Sequence, residues 1–262
     1  MNTMKNGSKI RNLFTGWVPG GVYSSRWLRE QGYSYSNLQV YRRSGWLQAL
    51  GSGAYTRSGD DLQWQGGVWG LQTQLNLPIH VGGKTAIEEA GYVQYLNLGK
   101  QKVYLIADPD TKLPTWFKKT NWNAQIEFSE TTLFRPLTYS NHGQDHSLKT
   151  VSYGKLDILY STPERAILEY LDWVPEKHSF QEAHEIMENL TSLRPKLMQG
   201  LLERCHSIKA KRLFCAIANK INHPWFSKLE MDKIDLGSGN RQLVSGGEYD
   251  SKYKITVMDR NE

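Results

Sequence analysis

Residues 33–57 read YSYSNLQVYRRSGWLQALGSGAYTR, a serine-led helical stretch that ends in paired arginines and runs into two short β-like segments around Gly51-Ser52-Gly53. Ser34 suits a helix start, because its hydroxyl can accept from an amide that the first turn leaves unbonded. Gly45 suits the left-handed backbone that follows a last turn. Between them, a rotation of about 100° per residue puts Leu38 and Tyr41 on one side, with Ser34 between them. Ser36, Gln39, Val40 and Arg43 fall on the opposite side, and Tyr35 and Arg42 lie at the boundary. Beyond Gly45, residues 46–50 and 54–57 flank Gly-Ser-Gly, whose glycines tolerate the positive φ that a tight hairpin needs.

Two further helices are predicted upstream. The first follows Ser8 and carries Ile10, Leu13, Phe14 and Trp17 at helical spacing until Pro19-Gly20-Gly21 ends it. The second starts at Ser24 or Ser25, carries Trp27 and Leu28, and stops at Gly32. Three helices followed by a hairpin predict a winged helix-turn-helix over residues 1–60. Its third helix would enter the major groove of double-stranded DNA, where Ser36, Gln39, Val40 and Arg43 face base edges. Arg26, Arg29, Tyr35 and Arg42, with Ser52 and Arg57 of the wing, would lie along the phosphate backbone, which positions without reading sequence.

The charge distribution points the same way. The net charge is +6, and residues 1–60 hold all of it, with eight Lys/Arg against Glu30 and Asp60. The remaining residues are balanced. A basic first quarter beside a neutral body reads either as a surface for an anionic partner or as a solvated face. Winged helices also serve as protein-interaction modules, so that alternative stays open. The 39% hydrophobic and 22% charged composition is that of a soluble globular protein. No apolar run reaches the ~18 residues of a membrane span, and the N-terminus has no apolar segment before a cleavage site. Cys205 and Cys215 match neither a disulfide framework nor metal-ligand spacing. A cytoplasmic protein with no membrane partner, metal or cofactor is expected.

A polar stretch at 56–61 marks the expected boundary of a second unit, residues 61–262. Residues 64–76 read as a helix despite Gly66, Gly67 and Gly70, and residues 77–92 as strand, glycine turn and helix. Strand character follows at 102–108, 125–134 and 147–161, with a short LPTWF segment at 113–117. Helices dominate from Ser161, where Ser161…Glu164 and Ser179…Glu182 both match the capping-box pattern. Residues 243–257 alternate weakly, as a terminal strand or hairpin around Gly246-Gly247. The expected fold class is α+β: an N-terminal winged helix-turn-helix, then a larger mixed α/β domain that becomes mainly helical toward the C-terminus.

Several catalytic patterns start and fail. Gly82-Gly83-Lys84-Thr85 imitates the end of a phosphate-binding loop, but Pro78 stands where a further glycine is required. An amide nest for some anion and tight strand-to-helix packing remain as readings. Asp108-Pro-Asp110 has the spacing of a metal-binding carboxylate pair without the Gly-Ser element that should precede it, so a turn is the simpler account. His184-Glu185 is followed by Glu188 where a zinc-protease helix needs histidine. His142 and His146 lie among Asn, Gly, Gln and Asp with no third ligand. No active site is visible. Lys209, Lys211, Arg212 and Lys220 read either as a second basic surface, for RNA, or as the solvent face of an amphipathic helix.

YRRSGWLQALGSGAY (41–55), HVGGKTAIEEAG (80–91), LPTWF (113–117), STPERAILEYLDWVP (161–175), LTSLRP (190–195), SIKAKRLF (207–214) and IDLGSGNRQLVSGG (234–247) together resemble the AbiEi-type antitoxins of bacterial type IV toxin–antitoxin systems, active in abortive infection by phage. The blocks span nearly the whole chain in the same order. The resemblance implies an autorepressor that binds inverted repeats in its own promoter through the N-terminal domain, with residues 34–57 matching the DNA-binding segment. It also implies a C-terminal domain that counters a nucleotidyltransferase-like toxin without a stable complex. No catalytic residue carries over. Two other functions compete with this one: a module that holds the toxin directly, and a nucleotide-binding enzyme that reverses toxin action through the Gly82–Thr85 turn.

Overall fold

In the computed structural model, which describes residues 3–93, 99–134, 146–244 and 247–257, the first helix, α1, spans Thr3–Thr15. It begins before Ser8, which therefore lies inside the helix and does not cap it. Once the Ile10–Leu13–Phe14 stripe sets the helix, adding upstream residues is far easier than nucleating it. α2 (Ser25–Glu30) is capped by Ser24, whose hydroxyl accepts from the Trp27 amide at 3.1 Å. α3 (Tyr35–Arg43) is capped by Ser34, which takes the Asn37 amide at 3.2 Å while the Asn37 side chain takes the Ser34 amide at 3.3 Å. The helix stops where Gly45 turns to φ +75°.

β2 (Leu47–Leu50) and β3 (Ala54–Arg57) form the hairpin, with Leu47 opposite Arg57 and Leu50 opposite Ala54. A short β1 (Tyr23–Ser24) pairs with the other edge of β3, giving the order β1-β3-β2. Leu13, Trp17, Tyr23, Leu28, Leu38, Tyr41, Leu47 and Tyr55 make one core, all from the first sixty residues. Leu28 and Leu38 are fully buried in it, and truncating either to alanine costs about 2–5 kcal/mol.

The next helix, α4 (Trp64–Thr73), closes on this unit with its backbone. Gly66 and Gly70 lie one turn apart on one face. A β-carbon on Gly66 would stand 1.9 Å from the Gly20 carbonyl oxygen, and one on Gly70 would stand 2.5 Å from that of Val22. The Gln74 side chain ties the junction, accepting from the Ser24 amide at 2.8 Å and donating to the Val22 carbonyl at 2.9 Å. The glycines that weaken α4 as a helix thus let it approach the 20–22 segment. Val22, Leu50 and Ala54 join the core of the remaining chain, and Trp69 packs against both cores.

That remaining chain is built on a five-stranded sheet. Its strands are β4 (Ile79–Val81), β5 (Lys102–Ala107), β6 (Gln125–Glu130), β7 (Leu148–Tyr153) and β8 (Leu156–Ser161), in the order β6-β5-β4-β8-β7. β5 pairs parallel with β6 and antiparallel with β4, and its run from Val103 to Ala107 is buried, as an interior strand requires. α5 (Gly83–Glu89) follows β4, and α6 (Thr115–Lys119) lies between β5 and β6. α7 (Pro163–Leu171), α8 (Phe180–Asn189), α9 (Pro195–Arg204) and α10 (Ile208–Ile221) then pack as a helical layer.

The first capping-box expectation is wrong. Thr162 is the N-cap of α7, and Ser161 is still strand β8, with its hydroxyl donated to Glu169. Glu164 is buried and holds Arg194 at 2.9 Å instead of turning back to the cap. At α8, Ser179 does accept from the Glu182 amide at 3.1 Å, but the Glu182 carboxylate is taken by Lys84 and Tyr170. The C-terminus forms β9 (Arg241–Gln242), β10 (Glu248–Asp250) and β11 (Ile255–Val257), ordered β10-β11-β9. Gly246 and His142 lie outside the described residues. None of the described helices is long and apolar enough to cross a membrane.

Candidate nucleic-acid interface

α3 presents two unlike faces. Leu38 and Tyr41 are buried, Ser36, Val40 and Arg43 are exposed opposite them, and Gln39 is half-buried. Tyr35 and Arg42 are also exposed, and both side chains lie close enough to Tyr55 of β3 to influence its phenol, which places this flank of the helix beside the hairpin. Burial raises the Tyr55 phenol above its ordinary value, and the Arg42 guanidinium opposes that rise. Neither Arg42 nor Arg43 has an acidic partner among the described residues. In the last turn of a helix both cations also meet a favourable dipole.

The other expected contact residues divide by partner. Arg29 is exposed on α2 with no acidic partner among the described residues. Arg26 is 78% exposed but pairs with Glu30 at 3.1 Å. Ser52 is exposed at the hairpin tip, between Gly51 at φ +54° and Gly53 at φ +116°. The tip is fastened to the start of α2, where the Ser25 amide donates to the Gly53 carbonyl at 2.8 Å. Arg57 turns toward the protein: its guanidinium holds the buried Asp60 carboxylate at 2.7 Å, and that carboxylate also accepts from the Gly20 amide at 2.9 Å. Ser36, Val40, Arg43, Arg42, Tyr35, Arg29 and Ser52 are thus exposed, with Arg26 and Arg57 engaged in ion pairs beside them.

The second basic group is not a surface. Arg212 is buried and donates to the carbonyls of Leu236, Gly237, Gly239 and Lys254 at 2.6, 3.1, 2.8 and 2.9 Å. Lys211 is buried as well, Lys209 pairs with Glu176 at 2.8 Å, and Lys220 with Glu248 at 3.4 Å. α10 is covered on all sides over residues 210–218, so it has no single solvent face there. Arg212 fastens the 236–239 loop and the approach to β11 onto the helical layer.

The Gly82–Thr85 turn is filled by the protein's own anion. Glu169, fully buried, accepts from the Gly83 amide at 3.1 Å, the Arg165 guanidinium at 2.7 Å and the Ser161 hydroxyl at 2.8 Å, and meets His80 Nε2 at 2.8 Å. Burial alone would raise its carboxyl, but His80 and Arg165 outweigh burial and hold it at about 2. Lys84 pairs with Glu182, and the Thr85 hydroxyl is used by β5, accepting from the Tyr104 amide at 3.0 Å. Asp108–Asp110 is the expected turn, with Asp110 at φ +65° and the Thr111 hydroxyl on the Asp108 carbonyl. Both cysteines are buried, and burial pushes their thiols up, to about 11 for Cys205 and about 12 for Cys215. Among the described residues no group of three His, Cys, Asp or Glu could hold a metal ion.

The whole arrangement is similar to that of a solved structure, the crystal structure of RV2827C protein from Mycobacterium tuberculosis. The TM-score is 0.59 over 92% of this chain and 87% of that one, at 13% identity, so the likeness is one of fold. Sequence matching then gives the class, since two family models of transcriptional regulators together cover residues 6–98 and 100–258. The first is described as the AbiEi antitoxin N-terminal domain, the second as the AbiEi antitoxin of a type IV toxin–antitoxin system. The chain belongs to the AbiEi antitoxin family of transcriptional regulators, which is not a class of enzymes. No curated protein matches the sequence. The two family models meet after α5, so the first groups α4, with its Gly66–Gly70 face, with the first sixty residues.

Proposed function

We propose that residues 1–60 are a winged helix-turn-helix that binds double-stranded DNA, with α3 in the major groove and the β2–β3 hairpin as the wing. The protein uses it in the cytoplasm to repress its own promoter at inverted repeats. Residues 61–262 counter a cognate nucleotidyltransferase-like toxin, without a stable complex and without a catalytic step of their own.

The observation that carries this reading is the exposed side of α3. Ser36, Val40 and Arg43 stand opposite the buried Leu38 and Tyr41, with Arg42 and Arg43 at the helix end and no acidic partner for either among the described residues. A short polar face ending in guanidinium groups fits a groove edged by phosphates, since arginine can pair with guanine O6 and N7 or with a backbone oxygen. The nucleotide-enzyme alternative loses its main support, because Glu169 fills the turn it requires.

The test is binding of the full-length protein to the duplex immediately upstream of its own gene, against random competitor, at two salt concentrations. The expected result is specific, salt-sensitive binding that Arg42→Ala/Arg43→Ala abolishes. Equal binding to random DNA, or none, would overturn the autorepressor reading and move direct toxin binding to first place.

A further inference from the structure

The wing tip does not project freely from the first sixty residues. It rests on α6, the short helix written by the LPTWF segment. The Cα of Trp116 lies 3.9 Å from a β-carbon built on Gly51, and its Cδ1 lies 3.6 Å from one built on Gly53. These are van der Waals distances, and Leu50, Ala54 and Trp116 share one buried cluster. Spatially, α6 is therefore the neighbour of the wing, although the strands β4 and β5 come between them in the chain.

The short helix has two sides. Thr115 and Lys119, four residues apart, flank the Trp116 side at helical spacing, and both are exposed. Lys118 projects from the other side, where Phe117, Ile126 and Phe128 line a hollow with it. Neither lysine has an acidic partner among the described residues.

We propose that the DNA-contacting surface crosses the wing tip onto α6, where Lys119, with Thr115 beside it, meets a backbone phosphate that flanks the site read by α3. This rests on the DNA-binding reading above and adds to it a contact supplied by the body. Each strand of a duplex presents one phosphate per about 3.4 Å of helix axis, and the major groove is about 12 Å wide. A wing placed on that rim brings its van der Waals neighbour over the next phosphates. The contact is to phosphate, so it contributes affinity and register and carries no base preference.

The experiment compares full-length wild type with Lys119→Ala and Lys118→Ala, on the upstream duplex and on random duplex, from 50 to 200 mM salt. Loss of one phosphate contact reduces the log–log salt slope by about 0.9, so the wild-type advantage over Lys119→Ala shrinks roughly 3.5-fold across that range. The expected result is that change for Lys119→Ala, alike on both duplexes, and an unchanged slope for Lys118→Ala. An unchanged slope for Lys119→Ala, or the same loss for both variants, overturns the proposal and leaves the winged-helix reading intact. If wild type itself shows no salt-sensitive binding, the DNA-binding reading fails first and this one falls with it.

Discussion

The Glu169 carboxylate accepts the Gly83 amide at 3.1 Å and so takes the place that an external phosphate would need in the Gly-Gly-Lys-Thr turn. The turn is a device for burying charge, not for capturing it. Titration calorimetry with ATP, GTP or CTP, with and without magnesium, should give no binding heat, and a saturable isotherm would sink this account. Glu169→Gln should destabilise the protein by about 3–5 kcal/mol in a urea melt, because it leaves Arg165 charged and buried without its carboxylate.

His178 gives the fold a sensitivity to mild acid. Burial lowers its imidazole to about 4, outweighing the attraction of Glu182, and the ring stacks on Tyr170 with centroids 4.1 Å apart. The folded state therefore keeps His178 neutral, whereas the unfolded chain takes up a proton below its ordinary 6.5. Stability from this group is full above about pH 6.5 and is lost as pH falls toward 4, by about 3 kcal/mol in total. Glu169 adds a separate loss at lower pH, since its folded value lies near 2 and its ordinary value is 4.5. His178→Phe keeps the stacking and removes the proton acceptor. Urea midpoints measured from pH 7 to 4.5 should be flatter for the variant, and a wild-type-like slope would assign the acid limb elsewhere.

Two glycine-to-alanine changes should act in opposite directions. Both positions are helical, so propensity alone favours alanine by about 1 kcal/mol at each. At Gly200, exposed in α9, a β-carbon meets nothing within 4 Å, and the gain should be realised. At Gly66 the β-carbon would stand 1.9 Å from the Gly20 carbonyl, and overpacking costs about 3 kcal/mol or more. Thermal melts of the two variants read the signs directly. Tolerance of Gly66→Ala would mean that α4 is not seated on the 20–22 segment as closely as described.

What the sequence made legible was chemistry held within a few residues. Ser34, Gly45, Gly51 and Gly53 announce α3 and the hairpin because a cap and a positive φ depend on immediate neighbours. What it hid was chemistry set by distant partners. Ser161 has the right spacing for a cap, yet its hydroxyl is taken by Glu169, which also meets His80 from a strand 89 residues away. The Lys209–Lys220 cations look like a helix face only if one side of α10 is wet, and burial over residues 210–218 removes that premise. Gly66 and Gly70 read as tolerated flaws in a helix, although their one-turn spacing was itself the signal of a close backbone approach. Asp60 lies only three residues beyond Arg57, yet what buries its carboxylate and so draws the arginine to it is the Gly20 amide, forty residues away.

The arginines of the first sixty residues should separate by role. Arg43 stands on the exposed face of α3 with Ser36 and Val40, where a guanidinium can reach a base edge. Arg43→Ala should cost about 1–3 kcal/mol on the upstream duplex and relax the preference over random DNA. Arg29, exposed on α2 away from that face, should act on phosphate alone. Arg29→Ala should weaken both duplexes equally and reduce the salt slope by about 0.9. Arg57 is committed to Asp60 at 2.7 Å, so Arg57→Ala should lower the melting temperature more than it changes the salt slope. Binding isotherms at four salt concentrations for the three variants, with a melt of each, distinguish the roles. Equal losses on specific and random DNA for Arg43→Ala would show that α3 presents a different face to the groove, because only a base-reading contact can discriminate between the two duplexes.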